Sequence, residues 1–446
     1  MGASGQGQGD MSSIRTIDVS SWPLPRRSEQ TARPHFGAVL LSVVLVCIAG
    51  LASAADAPVP LLEQGRPVDW WFVFKFNGSA FPACGTKTEL RVCLFDKKQK
   101  PTKYKFGYSQ QFVYASSEDP KLTKGSGCAG DSVKDPLGAT FDNVYNGSHF
   151  YVVWNDQPYG HPKVPHCTSG GNCASPWGHS KGMLAWNEEG EGVVLQVSTP
   201  SWPEAASKDF PRKGEANTLG CLGHNNVKLS QHFFALKLTK PDLLKVLSAM
   251  QNASVATDPK QRQIVSNGGP EDVQALVSQL GKRVDSKTFT RETLSTGVEI
   301  ISKPSNLNVP PWQMVSALLG AAPLRTATFW AAPYIPTTTK STKISCWDDS
   351  LGRSGPVQIA TTGLWDGVEF GLKGGANHAK IGVTIAGDKH YSIFGDENQQ
   401  GALTGKCDRS QNGRGGLFFV IEDQTLTEGL SDLMEGDTAS TKIPSR

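Results

Sequence analysis

One tripeptide pattern, present twice in matching surroundings, constrains this chain more than any other feature: His179-Ser180-Lys181 and His378-Ala379-Lys380. A glycine-containing turn precedes each, Trp177-Gly178 in the first case and Gly374-Gly375-Ala376 in the second. A glycine and an apolar run follow each, Gly182-Met183-Leu184-Ala185-Trp186 and Gly382-Val383-Thr384-Ile385-Ala386. In a β-strand, residues i and i+2 face the same side, so such a His and Lys reach one pocket. A single His-x-Lys is an ordinary surface pair. Two with alike flanks predict a duplicated strand unit that brings two imidazoles and two ammonium groups to a shared site. Outside these neighbourhoods the two halves are not visible repeats.

That residue set suits phosphodiester chemistry. One neutral imidazole attacks phosphorus and forms a phosphohistidine, and the other, protonated, donates to the departing oxygen. The lysines stabilise the negative charge that builds up in the transition state. Nucleophile, acid and fixed charge are all present, so no metal and no cofactor is expected. A rival set, His161, His166, Cys167, Cys173 and His179, has zinc-type ligands but lacks their usual spacing. Asp348-Asp349 and Asp396-Glu397 read as solvated turns in preference to magnesium ligands.

The chain has 446 residues, enough for two domains or two lobes. An apolar share of 38% against 19% charged residues permits a globular core and excludes wholesale disorder. An uncharged apolar stretch from Gly37 to Leu51 follows Arg26, Arg27 and Arg33 and precedes Ala52-Ser53-Ala54. This predicts a secretory signal peptide over residues 1–54, with a signal anchor as the alternative reading. No later stretch could span a bilayer, so no stable membrane association is expected after signal removal. The net charge of +3 becomes +2 without residues 1–54, which carry four basic and three acidic side chains. An anionic ligand must therefore be held by a local patch.

Cys47 leaves with the signal and eight cysteines remain, an even count that reads as up to four disulfides in an exported chain. The pairs Cys84/Cys93, Cys167/Cys173 and Cys346/Cys407 are the disulfide candidates. Asn77, Asn146 and Asn252 head glycosylation sequons.

Trp70 to Phe76, His149 to Trp154 and Gly192 to Ser198 read as strands, and the stretch from Lys103 to Val113 as a strand or hairpin. Asp242 to Met250, with Asp242 as N-cap, and Glu271 to Arg283 read as helices. Trp70, Trp71 and Phe74 are assigned to the core in preference to base stacking. His224 and His232 are assigned structural or surface roles, and the tail from Glu435 is read as frayed.

Several motifs together resemble the deoxyribonuclease II family: Pro67-Val68-Asp69-Trp70 leading to Phe74-Lys75, Gly178-His179-Ser180-Lys181-Gly182, Ser198-Thr199-Pro200-Ser201-Trp202-Pro203, Asn377-His378-Ala379-Lys380, and Gly395-Asp396-Glu397-Asn398. The resemblance runs from about Pro67 to Met434. It implies a mixed α/β fold of two phospholipase D-like lobes, each with a central β-sheet flanked by helices, related by a pseudo-twofold with the active site between them. The lobes would span residues 55–240 and 241–446. It implies an acid endonuclease that needs no divalent metal, cuts double-stranded DNA to leave 3′-phosphates, and works in a lysosome, in a vacuole or outside the cell. His179 with Lys181 and His378 with Lys380 are the implied half-sites. Asn398 would join the second through its amide, with Ser198 a candidate opposite it. Alternatives are a catalytically idle secreted DNA-binding or toxin-like relative, or a phosphodiesterase acting on RNA or phospholipid. The downstream acid of the lipase motif is absent, since Trp186 and Ile385 stand at that position.

Overall fold

Alternating apolar strands and short amphipathic helices build a mixed α/β fold in this computed structural model. It describes residues 56–81, 90–91, 102–103, 111–130, 132–158, 163–167, 172–211 and 228–444. Among these residues the first large sheet is 8-stranded. Its principal strands are β1 (Trp70–Lys75), β2 (Phe112–Ser116), β3 (Phe150–Asn155), β4 (Lys181–Trp186), β5 (Gly192–Val197) and β6 (Gln231–Leu238). They lie in the order β3-β4-β5-β6-β1-β2, with short edge strands Val265–Ser266 and Thr123–Lys124 outside them. Helix α1 (Pro136–Asn146) precedes β3, and α2 (Lys240–Asn252) follows β6.

The second sheet, 7-stranded, repeats this plan. Its principal strands are β7 (Glu299–Lys303), β8 (Leu324–Ala327), β9 (Ile381–Thr384), β10 (Tyr391–Gly395) and β11 (Gly416–Glu422), in the order β8-β9-β10-β11-β7. Every neighbouring pair in that row is antiparallel, as are the matching pairs of β3-β4-β5-β6-β1. With α3 (Glu271–Val277) lying between the halves, α4 (Pro311–Leu318) precedes β8 as α1 precedes β3, and α5 (Gln424–Leu433) follows β11 as α2 follows β6. The duplication thus extends well beyond the His-Lys neighbourhoods, although the sequences of the remaining strands do not display it.

The two sheets share one core. Phe72 of β1 and Phe234 of β6 stack on Phe394 of β10 at 4.6 and 4.8 Å, and Phe234 also meets Phe419 of β11 at 5.3 Å. Trp70, Trp71 and Phe74 are buried in this core, so they cannot stack bases. The strand expected at Lys103 to Val113 is observed at Phe112–Ser116, and residues 104–110 lie outside the described set.

Two helix readings change. The N-cap of α2 is Thr239, whose hydroxyl accepts from the Asp242 amide, while Asp242 sits three residues on and completes a capping box. Helix α3 ends at Val277, not near Arg283. The tail is not frayed through residue 439. The Arg325 guanidinium bonds the carbonyls of Met434 and Gly436, and Ala439 N donates to Ile359 O. Disulfides Cys167–Cys173 and Cys346–Cys407 are formed. Cys128 is also disulfide-bonded, and Cys84 and Cys93 lie outside the described residues. No helix among the described residues is long and apolar enough to cross a membrane.

Candidate active site

Both His-x-Lys segments sit at the entry to a strand, β4 and β9, and each is pinned by the opposite sheet. His179 N donates to Gly415 O beside β11, and His378 N donates to Ser230 O beside β6. The glycine one residue beyond the first pair and two beyond the second is a packing requirement. A Cβ on Gly182 would lie 2.4 Å from Trp154 Cζ2, and one on Gly382 would lie 2.5 Å from Trp312 Cζ3. This reciprocal anchoring draws the two segments together where the ends of the central strands meet.

The first half-site is tightly packed. His179 is buried, and its Nδ1 lies 2.7 Å from the carbonyl oxygen of Asp396. A carbonyl only accepts, so Nδ1 carries the proton and Nε2 keeps its lone pair. Lys181 Nζ pairs with Asp156 Oδ1 at 2.5 Å, and Arg414 holds the other carboxylate oxygen at 2.8 Å. Burial alone would raise the Asp156 pKa, but Lys181, His179 and Arg414 outweigh it and hold the carboxyl ionised, well below its usual range. The pKa of His179 is pushed well below its ordinary value, first by burial and then by Lys181, with Asp156 opposing.

In the second half-site His378 is half-buried, with Phe329 edge-on at 5.1 Å. Its pKa is likewise well below normal, first through desolvation and then through Lys380, Lys181 and Lys75. Lys380 Nζ donates to His378 O at 2.6 Å. Burial, reinforced by Lys181, lowers the Lys380 ammonium to about 7, and burial lowers Lys75 to about 7 as well. Each half-site therefore feels the other: Lys181 acts on His378, and Lys380 acts on His179.

Four residues that the sequence did not single out as site residues complete the centre. Asp156 and Arg414 form the ion triad with Lys181. His232, assigned a structural or surface role, is buried here, with Nδ1 accepting from Lys380 N at 3.1 Å. Gln196 Nε2 donates to Asp396 Oδ1 at 3.1 Å, while Gln196 Oε1 lies 3.5 Å from His232 Nε2. Asp396 and Glu397 are not a solvated turn. Both are buried, and burial raises their carboxyls to about 7 and about 8.

Of the weaker candidates, Ser198 accepts from His232 N at 2.8 Å and donates to Gln231 Oε1 at 2.7 Å, so its hydroxyl holds the His232 strand. Asn398 donates its amide to Gln400 Oε1 at 2.9 Å, and not to His378 or Lys380. Asn77 does not offer a sequon to solvent. It is buried, and its amide nitrogen faces Ser230 Oγ and Gly371 O. Asn252 donates to Thr288 O and Ser302 Oγ, whereas Asn146 is exposed. Of the zinc-type set, His161 lies outside the described residues, and His166 stacks on Trp177 at 5.7 Å.

Two sheets of one plan, each delivering a His and a Lys to a common cationic centre, define a duplicated α/β protein with a paired His-Lys site. The deoxyribonuclease II family profile matches residues 60–309, more than half of the chain, and the chain belongs to that family. The match covers the first His-x-Lys and ends before the second. Deoxyribonuclease-2-alpha of Bos taurus is 30% identical over 145 residues, 32% of this chain and 33% of the bovine protein. The Rattus norvegicus protein of the same name is 30% identical over 148 residues, 32% of this chain and 34% of its own length. The chain thus aligns with about a third of the length of these relatives.

Proposed function

We propose that this chain is an endodeoxyribonuclease that hydrolyses DNA phosphodiesters at acid pH through a phosphohistidine, without a divalent metal. The observation that carries this is the reciprocal anchoring of two His-Lys pairs at one cationic centre, each pair acting on the other, supported by family membership. His179 is assigned as nucleophile because its Nδ1–H is committed to the Asp396 carbonyl, which fixes the ring and leaves Nε2 to attack. His378, the more open ring, is assigned as acid.

Nε2 of His179 bonds to phosphorus as the bond to the 5′-oxygen breaks, and that oxygen takes the proton from His378. Neutral His378 then removes a proton from water, which attacks the phosphohistidine and releases His179. The products are a 3′-phosphate and a 5′-hydroxyl. Lys181 and Lys380 neutralise the phosphorane-like charge. Acid pH follows from the site. Burial and neighbouring lysines depress both imidazoles, so His378 protonates only in acid or once a phosphate arrives to offset the ammonium groups. In this reading the two sheets are the two phospholipase D-like lobes. The formed disulfides agree with a destination in the secretory pathway, in a lysosome or vacuole or outside the cell.

The test is plasmid nicking at pH 5 in excess EDTA, comparing wild type, His179→Ala and His378→Ala, with end analysis and acid-quench trapping of phosphoprotein. Expected are 3′-phosphate ends from the wild type, loss of ~10³-fold or more in each variant, and trapped phosphate absent only from His179→Ala. Trapping lost only in His378→Ala would exchange the two roles. Cleavage that EDTA abolishes would overturn the mechanism.

A further inference from the structure

A strip of chain leads from the second half-site to an open pocket that the chemistry above does not use. It starts at Phe329, whose ring meets His378 edge-on. From there residues 328–335 are zipped to residues 399–401. Gln399 N donates to Thr328 Oγ1 at 3.0 Å, Gln400 Nε2 to the carbonyls of Ala331 and Ala332 at 3.1 Å each, and Gly401 N to Pro333 O at 2.9 Å. Asn398, through Gln400 Oε1, ties the strip to the catalytic end.

The strip ends at a pocket of about 550 Å³ whose lining includes Tyr334, Lys343, Leu403 and Arg409. Tyr334 is half-buried and packs on Trp330 with ring centroids 4.8 Å apart, which steadies the phenol ring. Lys343 and Arg409 are exposed, and neither forms an ion pair among the described residues. The disulfide Cys346–Cys407 staples the two segments that carry these cations. The volume falls within the range of small-molecule sites. A steadied aromatic ring beside two free cations is the combination that holds one base and its phosphate in single-strand binding.

We propose that this pocket is a subsite for a nucleotide of the DNA strand flanking the scissile phosphate. The proposal rests on the nuclease reading above and adds to it where the strand runs: from His378 along Phe329 and Trp330 to Tyr334. Single-stranded oligonucleotides from two to about twelve nucleotides, within the usual site sizes, should gain kcat/KM with length until the pocket is filled.

The experiment compares wild type, Tyr334→Ala, Tyr334→Phe and Arg409→Gln on two substrates at pH 5 in EDTA: these oligonucleotides, and bis(p-nitrophenyl) phosphate, which reaches only the catalytic centre. Tyr334→Ala should lose ~10-fold or more in kcat/KM on the longer oligonucleotides, with Tyr334→Phe near wild type. Arg409→Gln, an exposed change that leaves folding intact, should make the logarithmic salt dependence shallower by roughly 0.7. Hydrolysis of the small diester should be unchanged in all three. Equal effects on both substrates, or none on either, overturn the subsite while the nuclease reading stands. If wild type hydrolyses neither substrate, the nuclease reading fails and oligonucleotide binding by fluorescence anisotropy decides. Binding weakened by Tyr334→Ala and Arg409→Gln supports the subsite; no binding, or binding unaffected by either, overturns it.

Discussion

Replacing Asp156 by Asn exchanges one oxygen for an amide and preserves the shape of the site, yet it removes the counter-charge of two cations. Asp156 and Lys181 side chains are 1% and 3% exposed, so neither charge has water to fall back on. Removing one partner of a buried pair costs about 3–5 kcal/mol, because the remaining charge stays desolvated. Arg414 keeps the carbonyls of Trp177, Cys173 and Gly178. Lys181 has no such alternative among its hydrogen bonds in the described residues, so most of the loss falls on it. Urea denaturation at pH 6 should show a loss in that range. Because the folded carboxyl sits below its unfolded value of about 3.9, its contribution is complete above pH 4 and fades as pH falls through the folded value. The gap between wild type and Asp156→Asn should therefore be constant from pH 7 to 5 and narrow below 4.

Activity should respond as well. Asp156 raises the His179 pKa against the lysines, so its removal should move the acid limb of the kcat profile to lower pH. Adding Lys181→Met to Asp156→Asn removes both charges of the pair and should recover much of the stability but none of the activity. An Asp156→Asn protein within about 0.5 kcal/mol of wild type, with an unmoved pH profile, would refute the claim that this carboxylate is the ionised counter-ion of the site.

Gly182→Ala and Gly382→Ala should each destabilise by about 1–3 kcal/mol, since the new methyl meets Trp154 or Trp312 at contact distances that force a shift. Both should also lower kcat, because the displaced strand carries the adjacent His-Lys pair; thermal melts and nicking assays check this. Asp396, raised by burial to about 7, contributes stability that is complete below its unfolded value near 4 and is lost as pH rises through 7. Wild type should therefore lose up to about 4 kcal/mol relative to Asp396→Asn between pH 4 and 7.5, at 1.36 kcal/mol per unit; a pH-independent difference in urea midpoints would contradict the burial argument. On a secreted preparation, Asn146→Gln should remove a glycan, whereas Asn77→Gln should leave glycosylation unchanged and lower stability by breaking its contacts with Ser230 and Gly371.

The parts legible in the sequence were those whose physics is local. Trp70–Lys75 and Gly192–Val197 show as strands because their residues are β-branched or aromatic in short runs. The His-x-Lys pairs show because two residues at strand spacing carry their own chemistry. Asp156 and Arg414 did not show, because what makes them functional is distant chain. Asp156 is useful only because Asn155 lies opposite Lys181 across β3 and β4, and Arg414 only because its loop meets the first sheet. His232 shows the same limit: its own strand marks it only as a structural or surface residue, and it is the second sheet that places Lys380 N against its ring.

The duplicated plan also explains a lysine whose burial has no local cause. Lys75 ends β1 opposite Gln231, and Lys303 ends β7 opposite Gly416, so the two occupy equivalent places in the two sheets. Each lies beneath the residue that anchors the other half's histidine, Ser230 for His378 and Gly415 for His179. Their surroundings differ. Lys303 has Glu397 at 3.6 Å and is capped by the carbonyls of Gln411 and Asn412. Lys75 donates to Phe76 O and acts electrostatically on His378. Lys303 is thus held in a cage of carbonyls beside a buried carboxyl, while Lys75 acts on the imidazole of the second half-site. Lys75→Met should therefore raise the His378 pKa and move the alkaline limb of activity upward, whereas Lys303→Met should chiefly destabilise by taking the donor from the buried carbonyls of Gln411 and Asn412. Equal shifts of the pH profile in both variants would mean that the two halves have not diverged in this way.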